Sequence, residues 1–262
     1  VTVQPPIGEQ ETSTGVRPPV LARALPVIRR ETAVAVALAL LIIAYGNLVS
    51  LPPDGVRTAF DWAFILGSLL FLGLLILWAV RLERMPLPSM GITFANAGRN
   101  ALVGAALGAV VILPVVLYFI FPLGLEDGIG YEDLEEETWG GFLLWAFVNQ
   151  PVGTAFFEEV LFRGVLLAKM TVAWGQRQAL VASSLTFALW HLVINFRTIQ
   201  NTDVASPDAL AALAQIVSMF GLFLGGLFLG LLRQRTGNLA GCVAFHWLVV
   251  TAMSGTLFLI AR

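Results

Sequence analysis

The sequence predicts an all-α protein, a polytopic bundle of about seven transmembrane helices, and three observations carry that prediction. Hydrophobic residues make up 58% of the 262-residue chain and charged residues only 12%, with a mean hydropathy of +0.84; soluble domains carry about 25% charged residues. The apolar residues gather into runs near the ~20 residues that a helix needs to cross a bilayer. The cationic residues fall between those runs, and they favour alternate loops.

Residues 1–31 are polar, carry Pro5, Pro6, Pro18, Pro19 and Pro26, and lack a helical apolar period. They read as a disordered cytosolic tail. The first apolar run begins near Thr32 and is too long for a signal-peptide core, so no removable signal is expected. From there residues 32–262 read as one bundle, with spans predicted at 32–50, 59–80, 100–122, 141–170, 178–197, 209–232 and 239–260. The fourth run is overlong and contains Asn149-Gln150-Pro151. Proline removes a backbone donor and kinks a helix, so this run is one kinked span or two, which makes eight.

Basic residues set the orientation. With the N-terminus inside, the inner segments hold Arg17, Arg23, Arg29 and Arg30, then Arg81, Arg84 and Arg99, then Lys169 and Arg177, then Arg233 and Arg235. Only Arg57, Arg197 and Arg262 fall outside, and the acidic stretch 123–140 has no basic residue and belongs outside as well. In the sixth span Gly221, Gly225, Gly226 and Gly230 give two four-residue spacings of the kind that lets helix backbones approach closely.

A net charge of −2 points away from a nucleic-acid partner, and the single cysteine, Cys242, excludes an internal disulfide and any multi-cysteine metal site. The partner expected from this composition is the lipid bilayer.

The functional signal is the placement of ionisable residues inside apolar runs. The only two histidines close Phe187-Ala-Leu-Trp-His191 and sit in Ala244-Phe245-His246-Trp247, while a third run carries Glu158-Glu159-Val-Leu-Phe-Arg163. Each such group costs about 2.5–3.5 kcal/mol in hydrocarbon even on the gentlest insertion scale. Counted from the inner basic residues at 1.5 Å per residue, Glu158 and His246 lie ~16 Å deep and His191 ~21 Å deep. One polar cavity at a shared depth is expected.

Glu159 and Arg163 are spaced to pair on one helix face, which leaves Glu158 turned toward other helices. No serine occupies a nucleophile elbow, and Cys242 has no motif around it. A Glu with a His that together hold and deprotonate water is the simplest chemistry, with the second His donating to an oxyanion. Glu158, His191 and His246 are also a set able to ligate zinc with a fourth position left for water. The residue pattern leaves the metal-free and zinc mechanisms open.

At these residues the chain resembles the CPBP family of intramembrane endopeptidases, which includes CAAX proteases and bacteriocin-processing enzymes and is also called the Abi family. That family's pattern is Glu-Glu-x-x-x-Arg, Phe-x-x-x-His and a later His-x-x-x-Asn or His-x-x-x-Asp on separate helices. The first two elements match, and the resemblance covers roughly residues 140–256. It implies that Glu158 and His191 activate water, that Glu159 and Arg163 support Glu158, and that His246 belongs to the oxyanion site. The substrates implied are prenylated C-terminal tails in eukaryotes, or peptides and membrane proteins in bacteria.

One position departs from the pattern. Four residues after His246 stands Val250, where the family has Asn or Asp. Valine donates no hydrogen bond, and loss of one oxyanion donor costs roughly 10²–10³ in rate; Thr251 and Ser254 are the neighbouring hydroxyls. Two rival readings follow. One is a catalytically weakened relative acting in immunity or as a membrane scaffold. The other is a proton-coupled transporter, which paired broken helices in inverted halves would favour; the sequence offers a single break, at Pro151.

Overall fold

The computed structural model describes residues 20–52, 61–121, 137–202 and 208–262. Residues 1–19 of the predicted tail, Arg57 and most of the acidic stretch (122–136) lie outside the described residues. Among the described residues the chain is all helix, with no strand. Helices α1 (Val20–Val49), α2 (Asp61–Arg81) and α3 (Ala97–Ile120) come first, with a short 3₁₀ turn at Leu87–Met90 between the second and third. A continuous helix, α4, covers 139–174, followed by α5 (Gln176–Trp190), α6 (Leu192–Gln200), α7 (Asp208–Thr236) and α8 (Ala240–Ile260).

Among the described residues five helical stretches are long and apolar enough to cross a membrane: Val27–Val49, Trp62–Arg81, Ala97–Ile120, Asp208–Thr236 and Ala240–Ile260. The pair α5 and α6, bent by 43°, makes a sixth if it is taken as one span. Their outer faces carry Leu66, Leu70, Val110, Ile216 and Phe220, all well exposed. Apolar surface on that scale requires lipid; the protein is an integral, multi-pass membrane protein.

The boundaries depart from expectation at three places. Helix α1 starts at Val20, inside the segment read as a disordered tail. Arg29, Arg30 and Glu31 end the apolar pattern, but straight-chain charged residues are good helix formers, and Glu31 is held by an ion pair with Lys169. Helix α4 runs unbroken through Pro151, because the winding loosens around it: Trp145–Phe156 is π-helical, so the ladder does not depend on the missing donor. The predicted fifth span, in contrast, breaks at His191.

Helix α4 is the hub. Residues 160–167 are buried on every side, packed with Ile42 of α1, Leu72 and Ala79 of α2, Met90 of the 3₁₀ turn, and Phe187 and Trp190 of α5. A helix that is covered all round belongs to a core. At the end of the bundle that carries Arg81, Arg177 and Arg235, Lys169 of α4 is buried and paired with both Glu31 and Glu83. Arg30 closes the group with contacts of 2.7 Å to Glu31 and 2.8 Å to Glu83. This network joins α1, the α2 exit and α4.

Close backbone approach is real but only half placed by the glycine pattern. Gly226 and Gly230 of α7 face Ser184 and Leu180 of α5, where an added methyl would meet atoms at 3.0 Å and 2.4 Å. Gly221 and Gly225 face open space. The tightest contact joins α3 and α8, where a methyl on Gly104 would lie 2.0 Å from the Gly241 carbonyl oxygen.

Candidate active site

The two carboxylates sit on a single α-helical turn, Phe157–Glu159, between two π-helical stretches, Trp145–Phe156 and Val160–Leu166. Wide turns of this kind concentrate at functional sites because they re-aim side chains that regular winding would place elsewhere. Glu158 and Glu159 are both buried and point to different partners.

Glu159 Oε1 accepts two hydrogen bonds. One comes from Arg163 Nη1 at 2.9 Å, one turn along the same helix, and one from His246 Nδ1 at 2.9 Å, on α8. The expected Glu159–Arg163 pair is present, and it extends to His246. A carboxylate oxygen accepts, so the Nδ1 of His246 carries the proton in this contact. The Nε2 of His246 is a lone pair in the neutral ring and becomes a donor only when the ring holds a second proton.

Glu158 turns to the other histidine. Its Oε2 lies 3.5 Å from His191 Nε2. The opposite ring nitrogen, Nδ1, is 2.8 Å from the Phe187 carbonyl oxygen, one turn earlier in α5. A carbonyl only accepts, so Nδ1 carries the proton and Nε2 presents its lone pair to Glu158. With the His191 ring neutral, two acceptors on separate helices face each other across 3.5 Å. Glu158 Oε2 has no hydrogen-bond partner within the protein.

Phe187 links the two pairs. The Arg163 guanidinium stacks 4.1 Å from its ring centre. Its edge-on neighbours are His191 at 4.5 Å and His246 at 6.3 Å, and Phe162 packs against it at 5.0 Å. One aromatic ring thus touches a cation and both imidazoles. The sequence marked Phe187 only as the start of a motif; its spacing four residues before His191 was the available signal.

Glu158, Glu159, Arg163, His191 and His246 come together, but as two linked pairs rather than one ring of ligands. Among the described residues no three His, Cys, Asp or Glu side chains gather as a metal-holding group. His246 spends its Nδ1 on Glu159 and His191 its Nδ1 on the Phe187 carbonyl oxygen, which leaves the Nε2 atom of each neutral ring as a lone pair for a proton or a metal. Cys242 is buried, with its thiol 3.4 Å from the Leu229 carbonyl oxygen, and takes no part. Thr251 keeps its hydroxyl oxygen buried and without a hydrogen-bond partner, and so does Gln150 with both atoms of its carboxamide.

Residues 140–252 match the family model described as "Type II CAAX prenyl endopeptidase Rce1-like". This segment contains the five candidate site residues and Val250, and over it the chain is similar to CAAX-type proteases. No curated protein and no solved structure matches the chain.

Proposed function

We propose that this protein is a glutamate-dependent intramembrane endopeptidase that cleaves peptide bonds of membrane-associated or C-terminal-tail substrates with a water held between Glu158 and His191. The observation that carries the reading is the 3.5 Å approach of Glu158 Oε2 to His191 Nε2, both of them acceptors when the ring is neutral. A water molecule has two O–H groups and satisfies both at once. As its oxygen attacks the scissile carbonyl carbon, Glu158 takes the proton and a C–O bond forms. The former carbonyl oxygen becomes an oxyanion, which the doubly protonated His246 ring stabilises from Nε2. Collapse breaks the C–N bond, and the proton held on Glu158 passes to the leaving amine nitrogen. The products are a carboxylic acid and an amine, and Glu158 returns to its starting state.

Glu159 and Arg163 do not touch the reacting atoms in this scheme. They hold the His246 ring by its Nδ1–H and, through the Arg163–Phe187 stack, fix the wall behind His191. The test is cleavage of membrane-derived peptides by protein in lipid vesicles, read by mass spectrometry. Wild-type protein cleaves and continues to do so in chelator, while His191→Ala inserts normally and does not cleave. Loss of cleavage in chelator, restored by zinc, overturns the metal-free scheme.

Val250 supports a second reading, a slow or inactive relative retained as an immunity factor or scaffold, since one oxyanion donor of the family pattern is replaced by an apolar side chain. Val250→Asn raises the turnover number at least about tenfold if that donor limits the rate. An unchanged rate shows that the missing donor is not limiting.

A further inference from the structure

The helix break at His191 is made by a side chain from another helix. In an unbroken helix the Val193 N–H would donate to the Leu189 carbonyl oxygen, four residues earlier. Here the Asn47 carboxamide of α1 stands between them. Its Oδ1 accepts from the Val193 N–H at 3.0 Å, and its Nδ2 donates to the Leu189 oxygen at 2.9 Å. The same Nδ2 also donates to the Ile43 oxygen at 2.8 Å, in Asn47's own helix. A side chain inserted into the hydrogen-bond ladder is one of the few established causes of a sharp helix kink, and α5 and α6 diverge by 43° at this point.

The rest of the ladder is displaced to suit. The His191 N–H bonds the Ala188 oxygen at 2.9 Å instead of the Phe187 oxygen. That frees the Phe187 oxygen for the His191 ring nitrogen, the bond that fixes the tautomer. Close access for α1 comes from Gly46, where a methyl group would lie 2.3 Å from the Trp190 ring. One turn further out, Arg197 of α6 donates to the Ser50 carbonyl oxygen at 2.7 Å, so the bent half is tied to the same helix. On its other side Asn195 donates to Gln215 and Ser218 of α7.

We infer that Asn47 is the positioning residue of the catalytic histidine: its carboxamide, spliced into the α5–α6 ladder, creates the break that aims His191 Nε2 at Glu158. This rests on the proposed Glu158–His191 mechanism for its catalytic consequence, while the splice itself has its own readout. Without the carboxamide, the Val193 N–H and the Leu189 oxygen can bond to each other, the helix straightens and no buried backbone group is stranded. Asn47→Ala and the isosteric Asn47→Leu therefore fold and insert. A misplacement of about 1 Å at the reacting centre costs up to about 10²-fold, so kcat falls 10- to 100-fold while KM stays within about twofold.

The experiment pairs these kinetics with ¹⁵N NMR of histidine-labelled protein, in which only His191 and His246 report. In both variants the His191 ring signals move and the His246 signals stay. Unmoved His191 signals, or an unchanged kcat in folded Asn47→Leu, overturn the inference. So does a variant that merely melts earlier with kcat per folded molecule intact. If His191 shifts as expected while Glu158→Gln retains full activity in the wild-type background, the splice stands and the Glu158–His191 mechanism is what fails.

Discussion

Helix α4 carries two buried ionic clusters, and they differ in a way that separates structure from chemistry. At the basic end of the bundle, Lys169 is paired with Glu31 and Glu83, and Arg30 covers both carboxylates. None of those side chains holds a buried polar atom without a partner. One to three turns earlier, Glu158 Oε2, Glu159 Oε2 and Arg163 Nη2 are all buried and without hydrogen-bond partners in the protein. Both clusters bear the cost of desolvating charge. Only the second has acceptors and donors left over for a ligand. Burial of a charge marks a place of high energy; unmet hydrogen-bond capacity marks a place for a reaction.

That contrast can be broken at either cluster. Lys169→Met strands two carboxylates near one exposed arginine, and removal of one partner from a buried pair costs about 3–5 kcal/mol. The expected result is a large loss of thermal stability with kcat per folded molecule unchanged. A variant of wild-type stability with low activity would place Lys169 in the functional cluster instead. A smaller effect is expected at Phe187. Phe187→Leu removes the aromatic face under Arg163, a contact of about 0.5–2 kcal/mol, and loosens both histidines. It lowers kcat per folded molecule about tenfold, beyond the modest fall in melting temperature that the loss of a buried ring brings. Equal losses of stability and rate would reduce Phe187 to a core residue.

The difference between the clusters was only partly legible in the sequence. Glu158, Glu159, Arg163, His191 and His246 stood out because ionisable groups are rare in apolar runs. The i,i+4 spacing of Glu159 and Arg163 gave their pairing correctly. In the sequence Lys169 is one of the inner basic residues and Glu31 is merely the last residue of the predicted tail. Their pairing with each other spans 138 positions in the chain, and no local pattern reports it.

The break at His191 was invisible for the same reason. Nothing around His191 resembles a proline or glycine kink, since the cause is Asn47, 146 positions away from the residue whose N–H it captures. A lone asparagine in an apolar run is an ordinary occurrence, and only its two partners across the helix pair give it meaning. The glycine pattern located Gly226 and Gly230, yet the tighter contact at Gly104 and Gly241 depends on two helices that are far apart in sequence. The all-helical fold and its membrane setting followed from composition and run length, which are local properties.

The account rests on Glu158 as the base that takes a proton from water while His191 holds the other end of the molecule. Single-turnover cleavage by Glu158→Gln tests it, at saturating peptide and with equal amounts of folded, vesicle-inserted protein. The glutamine keeps the size and the polar contact but accepts no proton. The rate is predicted to fall by about 10²–10⁴, the usual worth of a general base, with peptide affinity unchanged. Cleavage within about twofold of the wild-type rate would contradict the account.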